Sequence, residues 1–85
     1  MSKKVLMFSA TWCGPCKQAK PLFQKLSEER SDVQFEIVDI DEQKELTEQF
    51  AIAGVPTFVI LENGTESKRL IGGANVKKLN EALGG

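Results

Sequence analysis

The chain has 85 residues, 41% hydrophobic and 27% charged, with 11 basic and 12 acidic side chains and a net charge of −1. That length suits a single domain over residues 1–85 with one modest core, and the balance excludes a disordered chain. It also removes the long-range attraction that nucleic acid or an anionic membrane would exert, and no apolar run approaches the roughly 20 residues that span a bilayer.

Lys3 and Lys4 precede the apolar run Val5 to Phe8. The pair looks like the start of a secretory leader, but the run is too short for a leader's hydrophobic stretch. A cytoplasmic protein with reduced thiols is therefore expected. Two cysteines and no histidines narrow the chemistry. A structural zinc site usually takes four such ligands, so one chain cannot close it, although two chains could pool their thiolates. Any base must be a carboxylate, a lysine, a thiolate, a backbone group or water. Glycine patterns that cradle dinucleotides or phosphates are absent.

Val5-Leu6-Met7-Phe8 is continuously apolar and predicts a central strand buried on both faces. From Cys13 to about Arg30 the spacing is helical, with Ala19, Leu22, Phe23 and Leu26 on one stripe. Pro21 falls inside this pattern and predicts a kink. Ser31 and Asp32 end the helix. Val33 to Ile40 predicts a second strand. Asp41 is a candidate cap for a helix over about Glu42 to Ala51, with Leu46 and Phe50 inward. Thr57 to Leu61 reads as a third strand, Asn63-Gly64 as a tight hairpin turn, and Glu66 to Ile71 as a charged edge strand. Asn75 is a candidate cap for a last helix that places Val76, Leu79 and Leu83 on the sheet.

The order β-α-β-α-β-β-α predicts an α/β fold: a mixed four-stranded sheet flanked by three helices. The first two strands should be parallel, with a right-handed crossover, and the last two antiparallel.

Trp12-Cys13-Gly14-Pro15-Cys16 lies where the first strand hands over to the first helix. Open α/β sheets place their sites at such strand ends. Residues three apart in a first helical turn have Cβ atoms about 5–6 Å apart, close to what a disulfide needs. Closing so short a loop stabilises a fold by only about 2 kcal/mol, so the pair suits a redox couple better than a staple. Unpaired amides and the dipole at the helix start favour a thiolate at Cys13, and the thiolate is the nucleophile. Cys16, one turn in, should be more buried and less ionised. Cys13 then attacks and Cys16 resolves. Trp12 reads as a docking residue beside the pair, Asp39 as a strand-end group rather than a base.

These residues resemble the thioredoxin family: Trp12-Cys13-Gly14-Pro15-Cys16-Lys17, Pro21, Asp39-Ile40-Asp41 and Gly54-Val55-Pro56-Thr57. The motifs span about residues 5 to 73. The resemblance implies a thioredoxin-like fold and protein-disulfide reduction with no cofactor, because the sulfurs carry the electrons. It implies protein disulfides as substrates, a thioredoxin reductase or an equivalent dithiol as donor, and a monomer. It also implies a cis Val55–Pro56 bond and a docking surface of Trp12, Gly14, Pro15, Ile40, Gly54, Val55, Pro56, Ile71 and Gly72.

Three departures stand out. Most members begin with a further strand and helix, and this chain starts at the strand that follows. The family's buried Asp, six positions before the first Cys, is Met7 here, and a nearby lysine is Ile37. Water or Asp39 is left to take the proton of the second cysteine, which predicts slower or more pH-dependent resolution. Third, Ile71-Gly72-Gly73 is similar to the glycine pair of glutaredoxins, but their following acidic residues and Cys-Pro-Tyr-Cys are absent. The alternatives are a glutaredoxin-like, glutathione-linked oxidoreductase and a non-catalytic binding module on the same fold.

Overall fold

The computed structural model describes residues 2–84. Four strands, β1 (Lys3–Ser9), β2 (Val33–Asp39), β3 (Thr57–Glu62) and β4 (Thr65–Ile71), form one sheet in the order β2-β1-β3-β4. β1 pairs parallel with β2 and antiparallel with β3, and β3 pairs antiparallel with β4. Both the parallel start and the closing hairpin follow the sequence pattern. Asn63 and Gly64 turn the hairpin with φ values of 54° and 84°, the left-handed pair that a two-residue turn requires.

Continuous hydrophobicity in β1 reflects a sheet covered on both sides. Val5 and Met7 face one cluster with Phe58 and Ile60, under α1 (Gly14–Glu29) and the C-terminal segment. Leu6 and Phe8 face the other with Val38 and Val59, under α2 (Lys44–Gln49), where Leu46 and Phe50 pack. Each large side chain buried this way contributes about 1.5–3 kcal/mol. Phe23 anchors α1, its ring 5.3 Å from Phe35 and 6.0 Å from Phe58.

α1 runs through Pro21 as one helix, so that residue interrupts no element. Pro21 is exposed and removes one amide donor from the ladder. The helix ends where the Arg30 amide bonds the Leu26 carbonyl at 2.9 Å, and the Arg30 side chain clasps Asp32.

Two helical expectations need correction. α2 starts at Lys44 with no side-chain cap, and Asp41 caps nothing. Instead Asp39 Oδ1 accepts the amides of Asp41 at 2.8 Å and Glu42 at 3.2 Å, which fixes a turn ahead of the helix. The C-terminal segment is a 3₁₀ stretch, Gly73–Lys78, followed by one α-turn, α3 (Leu79–Ala82). Asn75 does not cap it, because its side-chain amide donates to the Ile71 carbonyl instead. The apolar face survives the change: Val76, Leu79 and Leu83 are all buried. A spacing of three satisfies a 3₁₀ helix as well as an α-helix.

Candidate active site

β1 ends at Ser9, and the chain turns through Ala10 to Trp12 before α1 begins. The Cys13 amide donates to the Ala10 carbonyl at 3.1 Å, closing that turn. Cys13 has extended backbone angles, φ −89° and ψ 113°, and is the N-cap of α1. Its Sγ accepts the Cys16 amide at 3.2 Å, in the way a serine or aspartate oxygen caps a helix. Pro15 sits in the first turn, where its missing donor costs little.

Cys13 and Cys16 form a disulfide with a Cα–Cα distance of 5.3 Å. The two sulfurs differ in setting. Cys16 is wholly buried, while Cys13 keeps 5% of its surface at the molecular boundary. The contrast in burial is small and has the expected direction. Two large apolar groups are exposed nearby in the fold: Trp12, next to Cys13 in the chain, at 67%, and Ile71, paired with Thr57 at the start of β3, at 64%.

The loop before β3 forms the other side. The Val55–Pro56 bond is cis, and the Val55 carbonyl lies 3.8 Å from Cys13 Sγ. Thr57 Oγ1 donates to the Gly54 carbonyl at 2.7 Å and shapes the loop from beneath. The Gly72 amide donates to the Pro56 carbonyl at 2.9 Å, tying the end of β4 to the same loop. Gly72 has φ 106°, a conformation that favours glycine. A Cβ on Gly73 would lie 3.3 Å from Pro15 Cβ, so the 3₁₀ segment abuts the cysteine turn directly.

These contacts bring Cys13, Val55, Pro56 and Gly72 together, with Gly54 and Ile71 as chain neighbours. Gly14, Pro15 and Gly54 are exposed, Val55, Ile40 and Gly72 half-buried, and Pro56 buried. Pro56 thus shapes the loop from inside rather than offering a surface. Ile40 follows β2, its amide bonding the Ser9 carbonyl at 2.9 Å, and its side chain packs against both core clusters. Sequence reading missed Asp41. Its Oδ2 accepts the Trp12 indole Nε1 at 3.0 Å. Thr57 and Gly73 were not among the expected site residues either, although Asp41 and Thr57 stand in the motifs quoted for the resemblance and Gly73 in the Gly-Gly pair.

No group of three or more potential metal ligands occurs among the described residues, and no helix is long and apolar enough to cross a membrane.

A mixed sheet of this order, with its cysteine pair where the central strand meets the first helix, is the thioredoxin-like fold. The chain belongs to the thioredoxin family, whose family model matches residues 1–84. It is 46% identical over 68 residues to a thioredoxin of Mycoplasma genitalium, covering 80% of this chain and 67% of that protein. With thioredoxin H5 of Oryza sativa it is also 46% identical over 69 residues, covering 81% of this chain and 51% of that one. Among solved structures, thioredoxin from Fasciola hepatica superposes with a TM-score of 0.91 at 35% identity, over 96% of this chain and 78% of that one. The oxidised mitochondrial thioredoxin 3 of Saccharomyces cerevisiae gives 0.89 at 36% identity, over 95% and 76%. The chain therefore spans about half to two thirds of the length of these two curated relatives.

Proposed function

We propose that the chain is a thiol–disulfide oxidoreductase that reduces disulfides in other proteins. The observation that carries this is the Cys13–Cys16 couple at the start of α1, with Cys13 Sγ receiving the Cys16 amide. That amide and the helix dipole stabilise negative charge on Cys13 once the disulfide is opened. In the reaction, the Cys13 thiolate attacks one sulfur of the substrate disulfide and expels the other as a thiolate. The product is a mixed disulfide. Cys16 then attacks Cys13 Sγ, closes the internal disulfide and releases the second substrate thiolate. Two electrons and two protons pass to the substrate, and a dithiol donor returns them.

Trp12 and Ile71 are large, apolar and exposed, Trp12 precedes Cys13 in the chain, and the Val55 carbonyl stands beside the reacting sulfur. This suits an extended segment of a protein substrate better than a small molecule. Trp12, Gly14, Pro15, Ile40, Gly54, Val55, Ile71 and Gly72 make up the docking surface, with Pro56 supporting it from within. The donor is a thioredoxin reductase or an equivalent dithiol system, the working form a monomer, and the compartment the cytosol, where a couple of this kind is kept reduced.

Insulin reduction with dithiothreitol as donor tests this reading. The wild type accelerates precipitation of the insulin B chain, and Cys13→Ser abolishes the acceleration. Equal turnover by the variant would refute it.

A further inference from the structure

The interior around Cys16 carries a consequence for the second half of the reaction. Cys16 is 0% exposed and belongs to a cluster built only from apolar side chains and the cysteine pair. β1 contributes Met7 to it, β3 contributes Phe58, and the 3₁₀ segment contributes Val76. Among the described residues no charged side chain is buried. Among the described residues the only buried polar ones are Ser9 and Thr57. Both are hydroxyls, which take up no proton near neutral pH, and Thr57 already donates to Gly54.

The charged groups on each element packed around this cluster are directed elsewhere. On β1, Lys3 donates to the Leu83 carbonyl and Lys4 pairs with Glu36 of β2. On β2, Asp39 accepts two amides of the following turn. On α1, Lys17, Lys25, Glu28 and Glu29 are exposed and Lys20 is half-buried. Arg30, after α1, is paired with Asp32. Glu62 closes the far end of β3, and on β4, which packs Leu70 on the cluster, Glu66 pairs with Arg69 and Lys68 is exposed. Lys77, Lys78 and Glu81 of the C-terminal segment are exposed. Burial without a partner favours the neutral thiol over the thiolate.

We propose that Cys16 resolves the mixed disulfide without a protein base, with water or hydroxide as the acceptor of its proton. This rests on Cys13 being the attacking sulfur. In this step the Cys16 thiol gives its proton to hydroxide or water, and the resulting thiolate attacks Cys13 Sγ. The Cys13–substrate S–S bond breaks, the Cys13–Cys16 bond forms, and the substrate leaves as a thiolate. Met7, 0% exposed on β1, lines the same cluster with a thioether, which accepts no proton near neutral pH. The mixed disulfide therefore persists at neutral pH and is discharged as the pH rises.

Stopped-flow reaction of the reduced full chain with 5,5′-dithiobis(2-nitrobenzoate) separates the two steps. The first thionitrobenzoate released reports attack by Cys13, and the second reports resolution by Cys16. This leaving group is too weak a base to take the proton itself. The second rate is expected to climb about tenfold per pH unit, with no plateau until beyond the roughly pH 8.5 at which a free cysteine titrates. Cys16→Ser is expected to release only the first equivalent. A second rate that levels off below about pH 8, or merges with the first at every pH, would overturn the proposal. Absence of the first release would instead overturn the reading of Cys13 as nucleophile.

Discussion

Trp12 and Asp41 are joined across 29 residues of sequence: the indole Nε1 donates to the carboxylate Oδ2 at 3.0 Å. The bond holds a 67% exposed indole against the turn that follows β2. Without it, the ring would sample several rotamers beside Cys13, and substrate would have to order it on docking. Asp41→Ala is expected to raise the insulin KM about threefold, the scale of one exposed hydrogen bond of under 1 kcal/mol. Both partners lie outside the core, so the urea midpoint should stay nearly fixed. Asp41→Asn, which keeps an acceptor, should restore the wild-type KM.

Asp39 is predicted to matter for the fold and not for proton transfer. Its carboxylate serves two backbone amides at 2.8 and 3.2 Å. Asp39→Ala removes both acceptors and should cost about 1–2 kcal/mol in urea unfolding, on the scale of a lost helix cap. Asp39→Asn should recover most of that. The pH profile of mixed-disulfide resolution should be the same in both variants as in the wild type.

Phe23 connects the stability of the core to the position of the site. It is 2% exposed, and its ring packs against Phe35 and Phe58 from the helix that carries both cysteines. Phe23→Ala should destabilise the domain by about 3–5 kcal/mol, a large part of the roughly 5–10 available to a chain of this size. Calorimetry or urea unfolding of the oxidised protein measures it directly.

The surface pair Glu66–Arg69 gives a pH signature of known sign. The hydrogen bond from Arg69 holds the Glu66 carboxyl below its ordinary value of 4.5. Its folded form thus binds the proton less readily than its unfolded form. The pair's contribution is complete above that ordinary value and is lost as the pH falls through the lowered one. Glu66→Gln should lower the unfolding free energy read from urea titration at neutral pH by about a few tenths of a kcal/mol for so exposed a pair, and the gap should close in acid. A gap that widened in acid would reverse the sign argued here.

Much of this architecture was legible in the sequence because hydrophobic pattern and turn chemistry agreed. The apolar run at Val5–Phe8 gave a central strand with two covered faces, and Asn63-Gly64 gave the hairpin. The cysteine pair declared itself by spacing. Helix beginnings were harder to read, because several side chains competed for the same amides. Asp39 took the turn assigned to Asp41, which freed Asp41 for Trp12. The 3₁₀ segment was hidden because Val76 and Leu79 sit three apart, a spacing that both helix types share. Proximity of Gly73 to Pro15, and of Gly72 to Pro56, depends on tertiary closure that no local pattern encodes.

Protein-disulfide reduction by this chain requires unequal sulfurs, with Cys13 as the charged and reachable member of the pair. Alkylation of the reduced chain by iodoacetamide across pH, read by mass spectrometry of the cysteine peptides, tests that most directly. Modification should fall on Cys13 alone and be half-maximal below the roughly pH 8.5 of a free cysteine, with Cys16 reacting only after unfolding. Equal, slow modification of both cysteines at neutral pH would contradict it.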